Sequence, residues 1–339
     1  MSRNYLLVAN PFSKSGRNAG RIAEARRLME QHGLRHTFLP TLPNGASAGE
    51  VAEKLKSGPF AAAVAMGGDG TFHDVAKGVV ESGTGLPMGL IPAGTGNNQA
   101  RSFHLPITEE DALDRAVRVI GDGATAPLDG GRIRIFGPLD TLLAEDWFFD
   151  SFGVGLSASV LRMRNQDRAM VEHVPLLGDI YRDELVYFGA ALRSFMATWV
   201  EERFFDAVVT VDGKEVFLED LSDLIINNTR YYARIWVPDP SGLPDDGLME
   251  LLAMRGRDEW LASVVTNLEE MPREPLEDLP LPRSVIYRGQ RFSVELRDRP
   301  GGTTIESQLD GEEWLNISRL EVDVRRHALE LIVPRAALT

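Results

Sequence analysis

Residues 61–75 read AAAVAMGGDGTFHDV, and few folds accommodate that order of residues. An apolar run, Ala61 to Met66, stops at Gly67-Gly68-Asp69-Gly70-Thr71, and a helix-compatible segment follows at once. A short uncharged run bounded by glycines fits a strand buried on both faces. The glycines permit backbone conformations closed to other residues and let a ligand approach the main chain closely. Asp69 sets a carboxylate in the middle of the turn, and the next helix starts where its free N–H groups favour an anion. Strand, acidic glycine turn and helix together predict a site for a phosphate or pyrophosphate accompanied by a metal ion.

The flanking sequence repeats the pattern. Tyr5 to Ala9 predicts a buried strand, followed by Asn10-Pro11-Phe12-Ser13-Lys14-Ser15-Gly16-Arg17, where Ser, Lys and Arg supply donors. A helix is predicted from Asn18 to His32, with Ile22, Ala25, Leu28 and Met29 on one face. A strand from His36 to Leu39 ends near Thr41, and a helix covers Ala46 to Leu55. Beyond the Gly67 turn come a helix from His73 to Val80 and a strand from Leu86 to Ile91. The loop Pro92-Ala93-Gly94-Thr95-Gly96-Asn97-Asn98 then opens helices at Gln99–Phe103 and Thr108–Ile120. Strands alternating with helices predict a parallel sheet covered on both faces. The loops at Asn10, Gly67 and Gly94 then share its carboxyl edge, where such sheets bind ligands. The Walker pattern GxxxxGK[ST] is absent, and no GxGxxG follows the first strand.

From about Leu128 short strands and turns take over. They are read at Arg132–Phe136, Trp147–Ser151, Phe204–Val211, Val216–Leu218, Leu224–Asn227, Leu248–Met254, Phe292–Leu296 and Thr303–Leu309. Asp212-Gly213 and Pro300-Gly301-Gly302 are hairpin signals. One helix, with Leu185, Phe188, Leu192, Phe195, Met196 and Trp199 on its apolar face, interrupts the strands. Glu269 to Pro282 reads as a loop, and Leu329 to Val333 as a last strand that can rejoin either half. The expected fold is α/β plus all-β. A Rossmann-like parallel-sheet nucleotide domain occupies 1–128, with 326–339 returning to it, and an antiparallel β-sandwich occupies 129–325.

Composition narrows the function classes. The 339 residues suffice for two domains, and no apolar run reaches the length of a spanning helix. The first residues have too short an apolar core for a signal peptide. The absence of cysteine excludes disulfides and thiolate chemistry, which predicts a cytoplasmic protein. A net charge of −14 argues against nucleic-acid binding and disfavours anionic membranes unless a local basic face exists.

Taken together, the motifs resemble the diacylglycerol kinase catalytic-domain family, which includes bacterial lipid kinases, sphingosine kinases and ceramide kinases. The resemblance rests on Asn10-Pro11 with Ser15-Gly16, on Gly67-Gly68-Asp69-Gly70-Thr71 and on Pro92-Ala93-Gly94-Thr95-Gly96-Asn97. Asp245-Asp246-Gly247-Leu248 and Asp310-Gly311-Glu312 support it downstream, so the pieces span nearly the whole chain in the family's order. GGDGT is shared with NAD kinases, whereas the GTGN segment and the late DGE favour the lipid-kinase branch. The resemblance implies phosphorylation of a lipid hydroxyl with ATP and Mg2+ as cofactors. The nucleotide would be held by Asn10, Ser13, Lys14, Gly16, Arg17, Thr41, Gly67, Gly68, Asp69, Gly70, Thr71, Gly94, Thr95, Gly96, Asn97, Asn98 and Glu312.

The resemblance also implies an acidic network of Asp69, Asp129 and Asp310 around the magnesium, with Asp310, or else Asp69, as the catalytic base. Phosphoryl transfer asks for positioning and charge neutralisation, which fits such a network. Asp246 with the carbonyls of Leu243 and Leu248 matches a structural metal loop of some bacterial members. One departure stands out: those members read GTxND, and Asn98 replaces the Asp. Expected partners are a lipid substrate, a transient membrane surface contact and no nucleic acid. An exposed edge strand also leaves room for a homodimer.

Plainer readings compete. Asp310-Gly311 is also a standard hairpin turn, and Lys14 and Arg17 are also ordinary loop charges. His73, near a helix start, reads as a cap or surface residue. The aromatic-arginine segment Arg230–Trp236 reads as a half-buried strand or a membrane contact. Two alternative functions remain: a kinase for NAD or a soluble polyol, and a catalytically impaired sensor of nucleotide or lipid, motivated by Asn98.

Overall fold

The computed structural model describes residues 4–11, 18–42, 45–94, 96–107, 109–159, 161–162, 204–232, 236–266, 284–297 and 305–338. In its first third, strands β1 (Asn4–Ala9), β2 (Arg35–Pro40), β3 (Phe60–Gly67) and β4 (Met88–Pro92) alternate with helices. These are α1 (Asn18–Gln31), α2 (Ser47–Ser57), α3 (Asp69–Ser82), the short α4 (Asn98–Ser102) and α5 (Ala112–Asp122). The strands pair in parallel in the order β2-β1-β3-β4.

Because successive strand residues face opposite sides, β1 and β3 feed two cores. Leu6, Val8, Ala63 and Ala65 pack with Val51 and Leu55 of α2 and with Phe72 and Val75 of α3. Tyr5, Leu7, Val64 and Met66 meet Ile22 and Met29 of α1 and Val117 and Ile120 of α5. Each large aliphatic side chain so buried contributes about 2 kcal/mol. The strand order turns back between β1 and β3, so the loops after these two strands part and open a crevice at the carboxyl edge.

The rest is antiparallel. It comprises β5 (Thr125–Phe136), β6 (Leu142–Phe148), β7 (Ser151–Gly155), β8 (Phe205–Val211), β9 (Lys214–Asn227) and β10 (Met249–Arg255). A helix α6 (Gly256–Thr266) precedes β11 (Val285–Gly289), β12 (Arg291–Arg297), β13 (Ser307–Leu309), β14 (Glu312–Glu313) and β15 (Arg319–Ile332). Their inward side chains, among them Ile133, Phe148, Phe152, Val209, Leu224, Leu251, Val294 and Leu320, share one core. The fold is thus α/β with an antiparallel β-rich half, and the pairing runs unbroken between the two.

The bridge is β15, which pairs antiparallel with β12 and β5 and reaches β4 in parallel at Leu331–Met88. Its register breaks between Arg325 and Leu329, where His327 has φ +49°. Leu320 and Val322, before the break, belong to the β core, whereas Leu329, Leu331 and Val333 belong to the α/β core. β5 is divided in the same way, with Leu128 on one side and Ile133 on the other, so the expected boundary at 128/129 lies inside a strand.

Several sequence expectations change in detail. The strand expected at Trp147–Ser151 is two strands, β6 and β7, meeting at a corner formed by Phe149 and Asp150. The strands expected at Val216–Leu218 and Leu224–Asn227 are one strand, β9. α6 was not anticipated. α3 begins at Asp69 itself, four residues before the expected start, because Gly68 in extended conformation stops the strand and the helix follows directly. Tyr231 and Trp236 are buried, and Tyr232 bridges Trp236, so those aromatics of the 230–236 segment pack inward. The apolar helix around Leu185–Trp199, the Glu269–Pro282 segment and Pro300-Gly301-Gly302 lie outside the described residues.

Candidate active site

Two glycine loops cross at the carboxyl edge of the sheet. Ala93 N–H donates to Gly67 O at 2.8 Å, which ties the end of β4 to the end of β3. One step on, Gly94 lies against Gly68 main chain to main chain: a Cβ on Gly94 would collide with Gly68 Cα and stand 2.8 Å from Asn97 Oδ1. Asn97 holds this loop in shape, its side chain accepting from Gly94 N–H at 3.0 Å and donating to Gly94 O at 3.1 Å. Asn97 is left-handed, at φ +56°, a conformation that Asn tolerates better than most residues.

The crossing decides which helix end is free. Asp69 is half-buried and accepts main-chain N–H groups of Asn97, Asn98 and Gln99 at the start of α4. A Cβ on Gly96 would stand 2.5 Å from Asp69 Oδ2, so glycine there admits the carboxylate. Burial pushes the Asp69 carboxyl up to about 6, the amides of α4 offset part of that, and the charge of Asp310 adds to it. The start of α4 is therefore spent on a protein carboxylate. α3 is different: its N-cap is Gly68, no side chain caps it, and it runs for 14 residues. Its first amides have no partner within the helix and carry the positive end of the dipole. Glu312 stands beside them, since a Cβ on Gly70 would lie 3.0 Å from Glu312 Oε1.

Asp310 is reached from the other half of the chain. Asp310 and Gly311, at φ +46° and +81°, form the two-residue turn between β13 and β14. The hairpin reading of this pair therefore holds. The carboxylate enters the corner between β6 and β7. There it accepts Asp150 N–H at 2.8 Å, Ser151 N–H at 3.0 Å and Phe149 N–H at 3.0 Å. Three converging amides form an anion nest. His73 Nδ1–H donates to Asp310 Oδ2 at 2.8 Å.

His73 is no surface cap. Its side chain is 14% exposed, one helical turn beyond Asp69 and edge-on to the Phe149 ring. Burial lowers its pKa, but the Asp310 hydrogen bond and charge, with Asp146 and Asp74, outweigh that and leave it raised.

Sequence reasoning missed Asp150. It is fully buried, accepts Asn98 Nδ2 at 2.9 Å and is held on its other oxygen by Thr229 Oγ1. Burial pushes its carboxyl up to about 8, the charges of Asp310 and Asp69 add to this, and the two hydrogen bonds offset only part. A second missed acid, Asp223, lies deeper, accepting from Ser157 N–H, Ser157 Oγ and Trp260 Nε1. Its burial pushes it up to about 7 against those donors. Neither acid carries a motif, so only the tertiary contacts single them out.

The remaining expected residues divide. Asn10 is at the carboxyl edge, its carbonyl accepting Asn18 Nδ2 at 2.7 Å, and Thr41 N–H donates to Ala9 O at 3.0 Å on the same edge. Thr71 packs on Gly67. Ser13, Lys14, Gly16, Arg17 and Thr95 lie outside the described residues. Asp129 does not join Asp69 and Asp310: its carboxylate turns to the 243–248 loop and accepts Gly247 and His327 N–H groups, both at 2.6 Å. The cause is β5, which aims the Asp129 side chain at the bulge of β15. Asp246 Oδ1 accepts Leu248 N–H at 2.9 Å, closing its own turn, and Leu243 is exposed. Among the described residues no three acids or histidines form a ready metal cluster.

Residues 4–133 match the diacylglycerol kinase catalytic domain. A diacylglycerol kinase of Mycobacterium tuberculosis (strain CDC 1551 / Oshkosh) is 31% identical over 202 residues, 57% of this chain and 57% of that protein. One from Staphylococcus epidermidis is 30% identical over 133 residues, 39% of this chain and 40% of that protein. The match thus spans 57% and 40% of the length of these two relatives. A solved diacylglycerol kinase structure from Bacillus anthracis covers 99% of this chain and 98% of that one at TM-score 0.67 and 15% identity. Yeast NADH kinase, solved with NADH, aligns at TM-score 0.51 and 9% identity, over 98% of this chain and 83% of that one. These two share the fold.

Asn98, the departure from the resemblance, lies within the matched residues and beside an acid. Asn98 Nδ2 donates to Asp150 Oδ2 at 2.9 Å. The site keeps an acid and an amide side by side, with the acid arriving from the β6–β7 corner.

Proposed function

We propose that the protein is a lipid kinase that moves the γ-phosphate of ATP to the hydroxyl of a lipid. The observation that carries this is the uncapped α3 N-terminus at the crossing of two glycine loops, with Asp69, Glu312 and the His73–Asp310 pair around it. The first amides of α3 offer donors to the phosphates at no cost of side-chain ordering. The oxygen donors flanking them, Asp69 and Glu312, suit magnesium, which would neutralise phosphate charge there. The acceptor hydroxyl enters from the β-rich half, which supplies Asp310 and Asp150. The acceptor class follows the relatives named as diacylglycerol kinases; diacylglycerol, ceramide and sphingoid headgroups all offer the required hydroxyl.

No helix among the described residues is long and apolar enough to cross a membrane. The reading includes transient contact of the protein with a bilayer surface, where its lipid substrate resides. Leu139, Leu142 and Leu143, exposed around the β5–β6 turn, support that contact.

The test is transfer of label from [γ-32P]ATP with magnesium to a panel of lipids, NAD and glycerol, with Asp69→Asn as control. Label in a lipid that vanishes in the variant is the expected result. Label in NAD or glycerol overturns the lipid assignment, and bound ATP with no labelled acceptor overturns the kinase.

A further inference from the structure

The corner between β6 and β7 is gripped from two sides. On one side its amides turn to Asp310: Asp150 and Ser151 N–H donate to Oδ1 at 2.8 and 3.0 Å, and Phe149 N–H donates to Oδ2 at 3.0 Å. On the other side its carbonyls turn to Asn228, just past the end of β9. Asn228 Nδ2 donates to Phe149 O at 2.9 Å, and Asn228 main-chain N–H donates to Asp150 O at 2.9 Å. Two consecutive peptide groups therefore lie between Asn228 and Asp310. The group joining Phe149 to Asp150 accepts from the Asn228 side chain and donates to the carboxylate. The group joining Asp150 to Ser151 accepts from the Asn228 main chain and donates to the same oxygen.

Asn228 is buried, and its Nδ2 also reaches Asp129 O in β5 at 2.9 Å. Both partners of Nδ2 are carbonyl oxygens, which only accept, so the nitrogen of the amide must face them. Oδ1 has no hydrogen-bond partner among the described residues, so the side chain serves through its donors. The next residue, Thr229, holds the Asp150 carboxyl with its hydroxyl. Adjacent residues thus fix the main chain and the side chain of one corner.

A peptide group is planar, so a bond made at its carbonyl edge also sets the direction of its N–H. An accepting carbonyl makes the N–H of the same group a better donor. From this geometry we infer that Asn228 is a positioning residue for the phosphoryl transfer, acting through two peptide groups on the amides that place Asp310 in the site. The inference rests on the kinase reading of the site. The β13–β14 turn follows the corner as well, since Asp310 N–H donates to Ser151 O at 2.8 Å. A tilt of the corner would carry the carboxylate with it.

The experiment measures kcat for lipid phosphorylation in wild type, Asn228→Ala and Asn228→Ser, the last keeping a short donor in case the alanine variant does not fold. The far-ultraviolet spectrum reports folding, as does ATP affinity without magnesium, which depends on the glycine loops of the other half. Misplacement of a reacting group by about 1 Å costs up to about 10²-fold, so the alanine variant is expected to lose about 10- to 10²-fold in kcat while ATP affinity holds. Residues that act as a unit are not additive, so in an Asp310→Asn background the same change is expected to cost less than about threefold. Two-dimensional amide NMR gives a readout free of turnover. The Asp150 and Ser151 amide resonances are expected to move in Asn228→Ala, as they do when Asp310→Asn removes their acceptor charge. A folded alanine variant with unchanged kcat, an undiminished cost in the Asp310→Asn background, or resonances that stay in place would each overturn the inference and leave Asn228 a packing residue. None of these touches the kinase reading. A wild type that labels no lipid removes that reading, and with it the catalytic role given to Asn228.

Discussion

Asp150→Asn isolates the energetics of the buried acids. The side chain is fully enclosed between Asn98 and Thr229, and its carboxyl is pushed from an ordinary 3.8 to about 8, first by burial and then by Asp310 and Asp69. An unfolded chain releases this proton near 3.8, while the folded protein holds it to about 8. Folding therefore takes up a proton across that window, and stability falls as pH rises through it. A group of this kind contributes about 1.4 kcal/mol per pH unit, or about 4 kcal/mol between pH 5 and pH 8. Asparagine has the same shape and never ionises, and its amide still pairs with Thr229 and with Asn98 turned over. Urea unfolding in metal-free buffer at pH 5, 6, 7 and 8 gives the difference between the two proteins, in which the other titrating groups cancel. The variant is expected to gain on wild type by roughly 4 kcal/mol from pH 5 to pH 8 while losing the proposed lipid phosphorylation, a trade common at functional sites. Parallel curves over that range would show that Asp150 is an ordinary acid in the folded state and that the electrostatic reading of the site is wrong.

Other outcomes test separate parts of the structure. Gly94→Ala forces a Cβ onto the main chain of Gly68, and overpacking of this kind costs about 1–3 kcal/mol; nucleotide affinity is expected to fall with it. Gly49→Ala, in α2 with no atom within 4 Å of the new Cβ, is expected to gain up to about 1 kcal/mol. Arg288 bonds Asp239 Oδ2 at 2.6 Å and Glu250 Oε1 at 3.2 Å, and burial already lifts Glu250 to about 7. Arg288→Met is expected to cost about 1–3 kcal/mol, rising above pH 7 as the two acids lose their cation; chemical denaturation at pH 6 and pH 8 reads the difference. Leu139→Ser with Leu142→Ser is expected to weaken sedimentation with lipid vesicles several-fold at unchanged kcat on a short-chain soluble lipid. Unchanged sedimentation would remove the β5–β6 turn as the membrane contact.

The α/β half was legible in the sequence because its signals are local. A parallel strand buried on both faces must be an uninterrupted apolar run, and loops that cross main chain to main chain at its end must be built of glycine, so β1, β3 and β4 and the loops after β3 and β4 announce themselves. Asp69 was legible for the same reason. The hairpin at Asp310-Gly311 was legible as a turn, and the resemblance gave it a role.

What the acids do was settled by contacts between residues far apart in the chain. Asp310 meets the Phe149–Ser151 corner across about 160 residues, and His73 across 237. Neither the corner nor the pairing of Asn98 with Asp150 has a sequence signature, because a buried acid is marked by its surroundings and not by its neighbours in the chain. Asp129 shows the converse. It sits in a suggestive place in the sequence, yet the alternation along β5 turns it towards Gly247 and His327. Local patterning determines which segments become strands, helices and glycine loops. Only tertiary packing determines which carboxylates share one site and which of them hold a proton, since burial and through-space charge depend on the whole fold.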